Sequence, residues 1–310
     1  MSALPKNPGA LAARLDAPAD ALDLAGLAAR WFCGQVVFRL KGLAALAGDP
    51  GLPGRIRGAF GGRLLQAASS EAIGGAPCPW QPPCGFEALW RKQGRMAQGF
   101  DHASPWVIGL DPEDGDLLVH LTLFGFANDY AAAACEAMTA ALWRDVDWAG
   151  TTQLFVPRID IAGREMRTLA GVAPPPPASG AVLEMLSPLA LTGADPREKP
   201  GSLLAGLARR LEGLARWHDA TLAPALDPRA LGQRALALDW RFDGADLVHW
   251  QRGSRRQDRA IPMQGLVARI GIGGLEPGDH DMRLALALGE TCHIGADIAF
   301  GCGRYGLQWG

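Results

Sequence analysis

No stretch of about 18 uncharged apolar residues occurs in the 310-residue chain, so no membrane-spanning helix is predicted. Met1 to Pro8 lacks a basic region followed by an apolar core, and Asp16, Asp20 and Asp23 interrupt what comes next. No secretion signal is read there, and a cytoplasmic protein is expected. Cysteine is sparse: Cys33, Cys78, Cys84, Cys135, Cys292 and Cys302 are too dispersed for a secreted disulfide framework. Only Cys78 and Cys84 lie close together, and with His102 as the sole further donor nearby the four ligands of a structural zinc are not assembled, so neither metal nor cofactor is expected. Lysine is scarcer still. Of 30 basic residues only Lys6, Lys41, Lys92 and Lys199 are lysines, and the formal net charge is -2. A globally basic surface is therefore excluded, and any binding of a polyanion must rest on local arginine clusters, whose planar forks suit phosphate.

Hydrophobic residues make up 48% of the chain, enough to build cores, and the length suits two domains. Strands are predicted for Trp31–Leu40, Ser104–Leu110, Leu117–Gly125 and Thr151–Ile161, with Asp111 to Asp116 as the loop between the middle pair. Arg55–Gln66 and Asp129–Leu142 read as helices from their core spacing, and Ala19–Arg30 reads as helical too. The order strand, helix, strand, strand, helix, strand is ferredoxin-like. Pro174-Pro-Pro-Pro177 marks a stiff linker near 171–181, separating a domain over 1–170, with an inserted Cys/Pro/Trp-rich basic segment near 67–101, from a second over 182–310. The order then repeats: strand Ala181–Leu191, helix Pro200–Asp219, strands Ala235–Phe242 and Ala245–Trp250 about an Asp243-Gly244 turn, strand Met263–Ile272, a helix over 281–290 and a last strand. The fold class read from this is α+β, two tandem ferredoxin-like domains ending in a glycine-rich loop.

That loop contains Gly301-Cys-Gly303-Arg-Tyr-Gly306, a G-x-G-x-x-G string. A dinucleotide-binding turn needs a helix after it and an acidic residue about 20 positions on, and only four residues follow. What is left is a loop whose backbone amides are expected to approach phosphate.

Five phrases carry a family resemblance across 31–309. They are Leu52-Pro-Gly-Arg-Ile-Arg-Gly-Ala-Phe-Gly61, the Cys78–Trp90 insertion, Leu121-Thr-Leu-Phe-Gly-Phe-Ala127, Arg252-Gly-Ser-Arg-Arg-Gln257, and the terminal loop with Gly295, Gly301 and Gly303. Together the chain resembles the CRISPR-associated endoribonucleases of the RAMP superfamily, which cut precursor CRISPR RNA at its repeats. The resemblance implies binding of the repeat stem-loop, metal-independent cleavage by the ribose 2′-hydroxyl to a 2′,3′-cyclic end, retention of the mature crRNA, and other CRISPR effector subunits as partners. Many members place a histidine near the end of the first strand or in the following helix. Here the first histidine is His102. In this the sequence is similar to divergent members, including those of plasmid-associated type IV systems.

With that histidine missing, Arg39, Lys41 and Arg241 are the candidate catalytic residues, acting as electrostatic clamps, with Arg241 expected to face the cleft between the domains; arginine cannot serve as a base. Arg252, Arg255, Arg256 and Arg259, the loop residues Gly295, Gly301, Gly303 and Arg304, and Arg91 and Arg95 of the insertion are the candidate RNA contacts. His293 reads as a structural residue bonded to the loop. A non-catalytic crRNA-binding RAMP subunit is the alternative, and a nucleotide-using metabolic enzyme a third reading that the absent helix disfavours.

Overall fold

The computed structural model describes residues 9–97, 100–148, 159–191, 195–222, 227–254, 259–276 and 278–310. They form two compact units. The first takes residues up to Asp20, Phe32–Leu169 and Gly213–Thr221, and the second Ala21–Trp31, Ala170–Glu212 and Leu222–Gly310.

The first unit is built from β1 (Phe32–Leu40), α1 (Leu52–Gln66), β2 (Trp106–Glu113), β3 (Asp116–Phe124), α2 (Ala131–Arg144) and β4 (Ile161–Ala170). Its sheet runs β2-β3-β1-β4, which makes the unit ferredoxin-like. Side-chain alternation divides β1: Val36, Phe38 and Leu40 share one face, and Gln35, Val37 and Arg39 the other. The 3.6-residue period of α1 buries Ile56, Phe60 and Leu64, and Phe60 meets Trp106 of β2 edge-on with ring centroids 5.5 Å apart. Burying each such side chain stabilises by roughly 1.5–3 kcal/mol. The helix begins three residues before the sequence suggests because Pro53 fits the first turn, where its missing N–H costs nothing. Likewise, the expected loop 111–116 is shorter: β2 continues through Pro112 and Glu113, and Asp114-Gly115 alone turns the chain, both with positive φ (52° and 85°). Asp-Gly is the favoured pair for such a two-residue hairpin turn. Of the expected strand Thr151–Ile161, residues 151–158 lie outside the described residues, and Ile161 opens β4.

The second unit repeats the topology with β5 (Gly180–Met185), α3 (Gly201–Arg216, its last turn counted in the first unit), β6 (Asp239–Ser254), β7 (Arg259–Gly273), α4 (His280–Cys292) and β8 (Tyr305–Trp309). The sheet order is β6-β7-β5-β8. Asp279 caps α4 by accepting from the Met282 amide at 3.1 Å, and the buried Tyr305 hydroxyl donates to Leu286 O at 2.6 Å, fixing β8 to the helix. Asp243-Gly244 is no hairpin turn. It marks a register shift inside one continuous strand, since β6 pairs with β7 on both sides of it. Residues expected to begin a strand at Ala235 instead end the helix Pro228–Ala235, which Asp227 caps and Pro228 opens. The strand expected over 181–191 is split: Ser187-Pro188 interrupts it, leaving Leu189–Ala190 as a separate short strand, as proline cannot donate to a ladder. The lead-in 19–30 is helical only from Leu24 to Arg30, with Asp23 as its cap.

Candidate nucleic-acid interface

In the first unit the register aligns three strands on the face that carries Arg39. Asp111, Leu118 and Arg39 form one row, Gly109, His120 and Val37 the next, and Val107, Thr122 and Gln35 a third. Arg39 is not a free cation. Its guanidinium pairs with the Glu113 carboxylate and lies 3.4 Å from that of Asp116, both supplied by the β2–β3 turn region that folds back beside it. Lys41, just past the strand, is exposed. Other arginines of this unit also meet partners: Arg55 pairs with Asp49 at 2.5 Å, Arg63 with Asp145, and Arg57 lies 4.2 Å from the Trp90 ring centre. Arg91 bonds to Glu87 at 2.8 Å and to the Gly75 and Ala76 carbonyls, so it staples the inserted segment to itself. Arg95 opens a short strand (Arg95–Ala97), and its side chain lies outside the described residues.

In the second unit α4 delivers the chain into the glycine loop. Gly295, Gly301 and Gly303 all have positive φ, as do His293 and Asp297. At Gly303 (φ 75°) a Cβ would stand 1.7 Å from Ile294 O, so only glycine fits. The loop amides have an internal use. Gly303 N–H donates to Pro188 O, Gly301 N–H to Ile298 O, and Arg304 N–H to Ser187 Oγ at 2.9 Å. Three of the donors expected to cradle phosphate are thus spent holding the loop to the β5–α3 connection and to itself. The reason is burial: Gly301 and Gly303 are covered, and a buried amide must find a partner.

Arg304, Arg210 and Arg252 lie close to the loop. His293, fully enclosed, donates from Nδ1 to Cys302 O at 3.2 Å, and its pKa is pushed down to about 3, by burial first and then by the charges of Arg304 and Arg210. It is neutral at physiological pH. Burial, reinforced by Asp297 and opposed by Arg252, pushes the Cys302 thiol up to about 12. Arg210 donates to Cys292 O at 3.3 Å, and Arg252 stacks 4.4 Å from the Phe300 ring centre, tying the β6–β7 arm to the loop. Arg255 and Arg256 lie outside the described residues, and only the backbone of Arg259, at the start of β7, is described. Arg241 is exposed on β6, paired across to Gly271. It and Arg39 sit in different units.

One group escaped the sequence reading. His120 is buried on the face of Arg39, in the adjoining row, with Nε2 3.0 Å from Asp111 Oδ2. The alternation of Leu118, His120 and Thr122 places the imidazole on that face, but Asp111 was read as loop, so the pairing was hidden. Among the described residues no group of three or more His, Cys, Asp and Glu could hold a metal ion, and no helix is long and apolar enough to cross a membrane.

No protein-family model and no curated protein sequence matches the chain. Solved structures do. A Cas6 product complex aligns over 89% of this chain and 99% of its own at TM-score 0.51 and 16% identity, and a second Cas6 product complex gives the same coverage and TM-score at 18% identity. Cas6 from Thermus thermophilus covers 90% of this chain and 100% of its own at TM-score 0.49 and 15% identity. The chain has the tandem ferredoxin-like α+β fold of Cas6 proteins.

Proposed function

We propose that the chain is a CRISPR repeat-RNA processing endoribonuclease. The observation that carries this reading is the doubled ferredoxin-like topology closed by a glycine loop flanked by arginines, in a fold shared with Cas6 proteins captured as product complexes. Repeat RNA is recognised by stem shape and backbone, since side chains cannot read the deep groove of an A-form helix. Arg252, Arg255, Arg256, Arg259 and Arg304 contact phosphates.

Cleavage in this reading needs no metal. The 2′-oxygen bonds to phosphorus as the bond from phosphorus to the 5′-oxygen breaks. The 2′-hydroxyl gives up its proton, the 5′-oxygen takes one, and the products are a 2′,3′-cyclic phosphate and a 5′-hydroxyl. Arg39, Lys41 and Arg241 steady the phosphorane charge, and His120, whose Nε2 lies 3.0 Å from Asp111 Oδ2, handles the proton that no guanidinium can accept. The cyclic-ended product stays bound, making the protein a subunit of a crRNA-guided complex.

The test is cleavage of an end-labelled repeat hairpin in EDTA by the wild type, Arg39→Ala and Arg241→Ala. Product ending in a cyclic phosphate, slowed about 10²-fold in either variant with binding intact, is expected. Tight binding with no product from the wild type overturns the enzyme and leaves the crRNA-binding subunit.

A further inference from the structure

We infer that Cys78 and Cys84 form a site of reversible oxidation by hydrogen peroxide, in which Cys78 attacks the peroxide and Cys84 then closes a disulfide with it. This chemistry is separate from the proposed cleavage and does not depend on it. The pair stands in Cys78-Pro-Trp-Gln-Pro-Pro-Cys84, within the inserted segment of the first unit, and both are free thiols. The Cys84 amide donates to Cys78 Sγ at 3.3 Å, and the Cys84 thiol is itself within hydrogen-bonding reach of that sulfur. Three of the five residues between them are proline, whose fixed φ leaves the loop little freedom to carry the sulfurs apart. The far end of the loop is anchored, since at Gly85 an added Cβ would stand 3.4 Å from Leu64 of α1 and 3.3 Å from Ala133 of α2. Among the described residues no third His, Cys, Asp or Glu completes a metal-binding group with the pair, so the chemistry open to it is that of a dithiol.

The two sulfurs have unequal parts. Cys78 is half-buried, open enough for a small oxidant, while Cys84 is buried. Donors gather on Cys78: besides the Cys84 amide, the Trp80 amide and the Ser69 hydroxyl point to its sulfur. Ser69 Oγ already accepts from the Ala72 amide at 3.2 Å, which leaves its own proton for the thiolate. Burial pushes the Cys78 thiol up, but these donors outweigh it and set its pKa below the ordinary value, whereas burial and the neighbouring Cys78 sulfur hold Cys84 above its own. Cys78 is thus the nucleophile, because the thiolate and not the thiol attacks. In the first step a bond forms from Cys78 Sγ to one peroxide oxygen as the O–O bond breaks. The products are a sulfenic acid and hydroxide, which takes up the proton that Cys78 had released. In the second step Cys84 Sγ attacks the oxidised sulfur, the S–O bond breaks, and the Cys84 proton leaves with that oxygen as water. The two thiols lose two electrons between them and the peroxide becomes two waters; a dithiol reductant reverses the disulfide by exchange.

The experiment exposes the full, reduced chain to equimolar hydrogen peroxide, unfolds it, alkylates the remaining thiols and maps the peptides by mass spectrometry. A Cys78–Cys84 disulfide, absent before peroxide and removed by dithiothreitol, is expected in the wild type. The buried Cys33, Cys292 and Cys302 and the half-buried Cys135 are expected to stay alkylatable. With dimedone present, Cys84→Ser should carry the sulfenic-acid adduct on Cys78, and Cys78→Ser should show about tenfold less adduct on Cys84. Because Cys84 is buried its variant can fail to fold, and the wild-type mapping, which needs no variant, then decides. No disulfide between the two cysteines, oxidation of Cys135 to the same extent as Cys78, or equal adducts on Cys78 and Cys84 in the two variants overturns the site, whether or not repeat RNA is cut.

Discussion

In the first unit several arginine guanidiniums meet carboxylates, while in the second those buried or stacked along α4 and the glycine loop meet backbone carbonyls and a ring. Arg39, Arg55, Arg63 and Arg91 pair with Glu113 and Asp116, Asp49, Asp145, and Glu87 respectively. Arg210 and Arg283 donate to Cys292 O and Glu276 O, and Arg252 lies over Phe300. Both units contain both kinds of partner, since Arg57 lies over Trp90 in the first and Arg197 and Arg234 meet Asp195 and Asp279 in the second, but beside the glycine loop the partners are a carbonyl and a ring. A carboxylate cancels the charge it binds, whereas a carbonyl or an aromatic face leaves it in place. Arg304 and Arg210 therefore add to burial, the larger cause, in depressing the His293 pKa, and a count of arginines along the chain does not locate this effect.

The comparison can be broken where its two halves make opposite demands. Beside the charge of Arg39 and Lys41, the first unit's share of the chemistry includes proton transfer, and His120→Ala should slow single-turnover cleavage about 10²-fold with hairpin affinity unchanged. The pH–rate profile should lose one limb, and a profile merely scaled down would make His120 structural. Next in size is the glycine loop. Gly303→Ala should cost about 3 kcal/mol in a urea titration, because the added Cβ meets Ile294 O in a backbone conformation that disfavours side chains.

A smaller effect is set by pH. His293 is bound neutral in the fold, with its pKa about 3 against an ordinary 6.5, so between those values the unfolded chain holds the extra proton. Stability from this group is complete above about pH 6.5 and drains away as pH falls toward 3. Thermal unfolding midpoints measured from pH 7 to 4 should decline less steeply in His293→Asn than in the wild type. The smallest difference separates two arginines directly: Arg252→Ala should reduce the slope of log affinity against log salt for hairpin RNA by about 1, and Arg63→Ala should leave it unchanged. Equal slopes in the two variants would erase the distinction between the units.

Much of the architecture was legible because it rests on local patterns. The alternation in Phe32–Leu40, the core spacing of Ile56, Phe60 and Leu64, and the leucine face of α3 each state their element within a few residues. Asp-Gly was ambiguous. At 114–115 it closes a tight hairpin and at 243–244 it lies in a bulge, and nothing within either pair distinguishes them; pairing with distant residues does. For the site, the glycines were visible but the use of their amides was not, since Pro188 and Ser187 are more than a hundred residues away in sequence.

The sequence by itself determined the two ferredoxin-like units, their order and the glycine loop before the last strand, because hydrophobic period and turn chemistry are local properties of the chain. Tertiary structure alone decided which arginines lie against a carboxylate, which loop amides are already bonded, and that Nε2 of His120 comes within 3.0 Å of Asp111. Those outcomes depend on groups far apart in sequence arriving within about 3 Å of one another, and the net charge or donor capacity of a side chain is fixed only by what it meets there.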